Sequence, residues 1–529
     1  MNNNKTTRAL LGTGALALAG LAAMPAQAAD AERIIRDRCL SCHTETGESA
    51  TPFSRISEQR KTPEGWMMTI GRMQQLRGLV ISPEEKRTLV KYLSDTQGLA
   101  PSETADMRYL LEKEPNVVES FDQLVQETCV RCHSGARIAL QRRTEDEWKH
   151  LIHFHMGQQP TAEFHAGARD RAWFDIALTN VAPKLAQDYP FNSKEWANWQ
   201  KAAKKPLDGS WAMSGFLPGK GNFDATLRAT KKGNDKYALS ISGQYADGTP
   251  LSGTGTAVVY AGYEWRASLN IDGTKMRQVL AASENGMSLT GRMFERDDEI
   301  IGGSVNAVKG NAISAVTPSY IKRGERKLIT ISGNQLKGNI RLGSGLKVLN
   351  IVSRDSNRVV ALVEASSKAN VAATSVTVGR AQMKGALAVY DSVARVEITP
   401  SESIARIGGN GGPIPKQKST YRAVGYAAGK DGKAGTADDV RLGYMPAAWT
   451  LKPFDEVAEH DNDLKYAGTI DADGIFTPGD AGLNPARKMS TNNVGNLSVV
   501  GTVKDGGSSV QGEAHLLVTV QKFVKPIIE

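Results

Sequence analysis

The sequence predicts a multidomain chain: an N-terminal all-α domain followed by three antiparallel all-β domains, one barrel-like and two immunoglobulin-like sandwiches. Three observations carry this. Helical periodicity holds from residue 29 to about 205 and stops at Lys205-Pro206-Leu207-Asp208-Gly209, where short alternating runs between Gly and Asp turns begin. All four cysteines, Cys39, Cys42, Cys129 and Cys132, fall in the helical part. Two similar segments, 312–318 ending Val316-Thr317-Pro318 and 396–400 ending Ile398-Thr399-Pro400, open the last two β units. At 529 residues the chain is too long for one core.

Residues 1–28 read as a secretory signal peptide. Lys5 and Arg8 form a charged start, 9–24 an apolar run, and Pro25-Ala26-Gln27-Ala28 an A-x-A site with cleavage after Ala28. The run is short of the ~20 residues a membrane span needs, and no other segment approaches that length. The mature chain is therefore expected in the periplasm, with no membrane span. Its formal charge is +9, or +7 without Lys5 and Arg8, and is spread along the chain. No basic run with interleaved aromatics appears, so nucleic acid is not an expected partner.

Residues 29–205 hold two units, about 29–100 and about 115–205. A short amphipathic helix over 31–39 leads into Cys39-Leu40-Ser41-Cys42-His43, and one over 120–129 leads into Cys129-Val130-Arg131-Cys132-His133. Each is a C-x-x-C-H, the attachment signature of a c-type haem. The two thiols can add to the porphyrin vinyls and the adjoining His reaches the iron. A zinc site pairing the two C-x-x-C units needs no following His. A redox dithiol does not explain a His at the same place twice. The expectation is two covalently bound haem c, with His43 and His133 as proximal iron ligands. These motifs use every cysteine, so disulfides are not expected.

An internal repeat suggests the sixth ligands. Lys61-Thr62 through Met73 aligns without a gap on Arg143-Thr144 through His155, matching Trp66 with Trp148, Ile70 with Ile152 and Met73 with His155. Thr62 and Thr144 read as N-caps followed by acids. Trp, Ile and the last residue then lie at i, i+4 and i+7 on one face, the last about 10 Å beyond the Trp. Met67, Met68 and Met107 compete with Met73, and His150, His153, His165 and Met156 with His155. Ser82-Pro83 opens a further helix that closes the first unit. Helices over 169–182 and 193–204, the latter with Trp196 and Trp199 as core, are expected to close the second.

Residues 206–310 carry alternating runs at 237–243, 255–261, 265–271, 288–294 and 302–308, a barrel-like or sandwich spacing. Residues 311–393 and 394–529 read as immunoglobulin-like units. The acidic loop 431–439 lacks the oxygen spacing of an EF-hand and reads as a surface loop. Asp461, Asp463, Asp471, Asp473, His460 and His515 read as structural. No P-loop, HExxH or GxSxG elbow is present, so no catalytic residue is assigned to this chain.

Two early C-x-x-C-H motifs, a Thr-x-x-x-Trp repeat after each, and a long cysteine-free β region together resemble the dihaem alpha subunit of the quinohaemoprotein amine dehydrogenase family. The resemblance covers essentially the whole mature length. It implies an electron-transfer role in a heterotrimer with a β-propeller subunit and a small subunit. The latter holds a cysteine tryptophylquinone that oxidises primary amines. A soluble blue copper protein or cytochrome c would be the acceptor. No cysteine remains here to build that quinone, which agrees. Two rivals are a dihaem peroxidase-type enzyme, which would show a high-spin open site, and a stand-alone carrier with structural β domains.

Overall fold

Helix α1 (Ala26–Cys39) buries Ala31, Ile34 and Ile35, a three-and-four spacing that also turns Cys39 toward the same apolar cluster. The computed structural model describes residues 26–164, 171–488 and 491–521. Residues 1–25 of the expected signal peptide, and His165, lie outside the described residues. Strand β1 (Gln59–Lys61) leads into α2 (Pro63–Arg77), capped by Thr62, whose Oγ1 accepts from Gly65 N at 3.2 Å. Helix α3 (Pro83–Thr96) opens with a reciprocal Ser82–Glu85 capping box and buries Leu89, Val90 and Leu93 against α1 and α2.

The second unit repeats this plan. Strand β2 (Gln141–Arg143) precedes the Glu145–Gln158 helix, where Thr144 Oγ1 accepts from Glu147 N at 3.2 Å. β1 and β2 pair antiparallel, Gln59 with Arg143, Arg60 with Arg142 and Lys61 with Gln141. The repeats therefore meet through the residues just before their capping threonines, with an approximate local twofold at Arg60 and Arg142. Between them Glu103 accepts from Arg60 at 2.9 and 3.0 Å and from Arg142 at 3.2 Å, the three side chains only 3–8% exposed. Burial alone would raise the Glu103 carboxyl, but the hydrogen bonds and charge of Arg60, then Arg142, hold it below its ordinary value.

Three helix expectations need correction. The second lead-in helix starts at Gln123, capped by Asp122, not at 120, and ends in a π turn over Gln126–Val130. The helix expected over 169–182 is described from Trp173 and continues to Asp188, with a π turn at Ala177–Val181. That turn comes just before Pro183, which has no N–H to offer the preceding turn. The Lys194–Lys201 helix does not close the second unit. Trp199 donates Nε1–H to Ala261 O at 2.8 Å and meets Tyr263 edge-on, so this helix packs on the next domain. An amphipathic face with two indoles goes where apolar area and an acceptor are both available.

That domain is a closed barrel of eight antiparallel strands, β3 (Gly209–Leu217), β4 (Gly221–Gly233), β5 (Lys236–Tyr245), β6 (Pro250–Tyr260), β7 (Glu264–Ile271), β8 (Thr274–Ala282), β9 (Ser288–Glu295) and β10 (Gly302–Val308). They run in order, with β10 returning to β3. Closure removes the sheet edges. Side chains such as Trp211, Leu227, Trp265 and Leu280 fill the barrel core.

Two further β units follow, and their sheets are not purely antiparallel. In the first, Ala312–Thr317 pairs antiparallel with Arg326–Asn334, and Tyr320–Lys322 runs parallel to Ala381–Tyr390 in the opposite sheet. In the second, Arg395–Thr399 and Glu402–Arg406 divide the same way. Pro318 and Pro400 mark both crossings, because a proline cannot donate to the ladder it leaves. The 431–439 loop is exposed, and its carboxylates accept from its own backbone and from Arg395.

Candidate haem sites

Site geometry starts where α1 ends. Cys42 N and His43 N both donate to Cys39 O, at 3.1 and 3.0 Å, which swings the motif off the helix. His43 Nδ1–H donates to Ser54 O at 2.9 Å; since a carbonyl only accepts, the hydrogen sits on Nδ1 and Nε2 is the ring atom left for a metal. His43, Cys39 and Cys42 line a cavity of about 620 Å³ together with Trp66, Ile70 and Met73. Trp66 is held from behind, donating Nε1–H to Gln97 O at 3.1 Å. Gly78, in the left-handed region at φ 70°, ends α2 one turn after Met73 and donates to its carbonyl. The competing methionines lie elsewhere: Met67 is exposed, Met68 Sδ accepts from Arg137 at 3.5 Å and Met107 Sδ from Tyr109 at 3.5 Å.

At the second motif His133 Nδ1–H donates to Ser134 O at 2.9 Å, and His155 Nδ1–H to Leu151 O at 2.7 Å. Both Nε2 atoms are left free. The two ring centres are 6.5 Å apart. A metal held between two imidazole nitrogens at about 2 Å each puts the ring centres roughly 6 Å apart, so the spacing fits one iron between them. Burial is the first cause lowering both histidines below their ordinary value, which keeps them neutral and able to ligate. Trp173 packs 6.3 Å from His155 and donates Nε1–H to Thr128 O at 2.7 Å. Of the competitors, His153 meets Phe174, His150 donates to Glu147 and Met156 packs in the apolar cluster.

Burial pushes the Cys39 thiol up to about 11 and the Cys129 thiol up to about 12, and all four thiols are free. Four thiols in two pairs, each beside a histidine whose Nδ1 is engaged with a carbonyl and whose Nε2 is not, are a donor set that fits covalent haem at both places.

Two features were not read from the sequence. The first cavity is also lined by Arg143, Glu147, Leu151 and Phe154 of the second repeat, so one helix faces both sites. The matched basic residues before each Thr were the available signal, since they are the ladder that joins the repeats. Glu119 accepts from Tyr109 Oη at 2.8 Å and Gly135 N at 2.6 Å, tying down the turn after His133. A lone Glu gives no sequence signal for that.

Comparisons with known families match the chain almost end to end. Residues 29–196 match the model described as quinohemoprotein amine dehydrogenase A, alpha subunit, haem binding. Residues 204–310, 310–391 and 396–528 match alpha subunit domains II, III and IV of the same enzyme. No protein with a curated description matches significantly. Among solved structures, a redesigned beta barrel bound to DFHBI is 15% identical, spanning 20% of this chain and 94% of that one, with a TM-score of 0.18. The Bacteroides ovatus glucan-utilisation protein SGBP-B is 11% identical over 60% of this chain and 68% of that one, TM-score 0.19. At these TM-scores neither informs the fold or function here.

Proposed function

This chain belongs to the quinohaemoprotein amine dehydrogenase alpha-subunit family, and on that premise we propose that it is the electron-transfer subunit of a periplasmic amine dehydrogenase. It takes electrons from a cysteine tryptophylquinone in a separate small subunit during oxidation of primary amines to aldehyde and ammonia. It delivers them through two c-type haems to a soluble blue copper protein or cytochrome c. A β-propeller subunit completes the heterotrimer. Among the described residues no helix is long and apolar enough to cross a membrane.

In this reading Cys39, Cys42, Cys129 and Cys132 would bond the two haems, and His43, His133, Met73 and His155 would offer nitrogen and sulfur donors to the irons. Bound haem supplies one-electron exchange, at a potential raised by thioether and lowered by imidazole ligation. The protein's part is to hold each imidazole in one tautomer, through Ser54, Ser134 and Leu151 carbonyls, and to exclude water with Trp66, Ile70 and Trp173. The observation that supports the reading is the 6.5 Å approach of His155 to His133, from a helix whose repeat places Met73 on the wall of the cavity that His43 also lines. Peroxidase chemistry needs a site with no such second side chain.

Pyridine haemochrome analysis of the purified chain, with intact mass before and after haem removal, tests this directly. Two thioether-linked haems per chain and low-spin ferric spectra are expected. A colourless chain, or a single haem, rejects the reading.

A further inference from the structure

The wall of the first cavity is strongly and unevenly charged. Six cations line it, the exposed Arg38, Arg55 and Arg77, the half-buried Arg72 and the buried Lys61 and Arg143, against two carboxylates, the exposed Asp37 and the buried Glu147. Glu147 is already shared: Arg143 donates to it at 3.2 Å, Arg55 at 2.8 Å and His150 at 3.0 Å. Lys61, 3% exposed, donates to Thr69 Oγ1 at 2.6 Å and lies over the Trp66 ring, and among the described residues it makes no ion pair within 4 Å. Arg72 lies over the Phe154 ring, and its buried Nε has no hydrogen-bond partner. Uncompensated buried cations are costly, and a site that keeps them is built for an anion. Burial, then the neighbouring Arg143 and Arg72, lower the Lys61 ammonium well below its ordinary value, and the charge of Glu147 opposes them only in part.

We propose that Lys61 and Arg72, with Arg143 behind them, are the cradle for the two propionates of the haem in the first cavity. This rests on the reading above that a haem occupies the cavity. Arg143 comes from the second repeat, so the cradle turns the propionate edge of the first haem toward the second unit. Paired cations favour the reduced, less positive haem, and their removal therefore lowers its potential.

Spectropotentiometric titration of the intact complex tests this with Lys61→Met, Lys61→Arg and Arg72→Gln. Lys61→Met should lower one midpoint and leave the other unmoved, Lys61→Arg should return it toward the native value, and Arg72→Gln should lower the same midpoint. A merely structural Lys61 would change thermal stability without moving a potential. Unmoved midpoints in a Lys61→Met protein still carrying both haems overturn the proposal. If that variant fails to accumulate, Arg72→Gln is judged by the same criterion. Haem stoichiometry on the unmodified complex separates the two readings, since fewer than two haems rejects the function itself.

Discussion

The two haem-motif units use one frame and finish it differently. In each, a buried cation lies over a Trp ring, Lys61 on Trp66 and Arg143 on Trp148, 5.3 and 5.6 Å from the ring centres. In each, a capping Thr starts the helix that carries this Trp. The helices then diverge at the residue seven beyond it, thioether in one and imidazole in the other. They also diverge in support. Trp66 donates its N–H to Gln97 O, while buried Trp148 Nε1 has no partner among the described residues. The first unit docks on the barrel through Arg266, which donates to Glu64 at 2.6 Å and to Glu264 at 2.6 Å. A repeated scaffold thus sets position, and a single side chain sets the chemistry placed there.

The sharpest way to break the comparison is to remove one attachment. Cys129→Ala with Cys132→Ala should leave one haem per chain, halving the haemochrome absorbance while the first site's spectrum persists. Loss of both haems would mean that the units do not load independently. Replacing Met73 with His should make the sites alike: the near-infrared thioether band disappears and one midpoint falls, within a ligand-dependent span of about 0.8 V. His155→Ala should instead turn one haem high-spin at neutral pH, and an unaltered spectrum would return the ligand to His153, His150 or Met156.

A smaller effect separates the units by pH. Burial pushes the Glu264 carboxyl up to about 7, against the opposing charge of Arg266. A raised folded pKa means the native state holds the proton more tightly than the unfolded chain. Its contribution is therefore complete below the ordinary carboxyl value and is lost as pH climbs toward 7. Glu264→Gln should flatten that decline, by about 3 kcal/mol, in melting curves compared at pH 4 and pH 8. Smallest is the indole difference. Trp66→Phe should cost about 1 kcal/mol more than Trp148→Phe in denaturant unfolding, because only Trp66 loses a hydrogen bond. Equal costs would show that the N–H to Gln97 contributes nothing.

Local chemistry was legible in the chain. Two thiols three apart before a histidine, a threonine before acids, and an i, i+4, i+7 face each depend on residues a few positions apart, so the C-x-x-C-H motifs, the caps at Thr62 and Thr144 and the Trp faces could be placed. The strand alternation that closes into the barrel was legible too, because its period of two is written into every run. The Lys194–Lys201 helix shows the limit. Its apolar face could be seen, but not which of two apolar neighbours it would cover.

The amino-acid order alone marked two similar candidate sites and the residue types that line them. Only the tertiary structure decided that they share a wall. The Gln59–Lys61 and Gln141–Arg143 ladder, more than eighty residues apart in the chain, brings Arg143, Glu147 and Phe154 into the first cavity. Contacts of that kind depend on how buried charges and donors find partners after the chain has folded back. Periodicity carries no record of them.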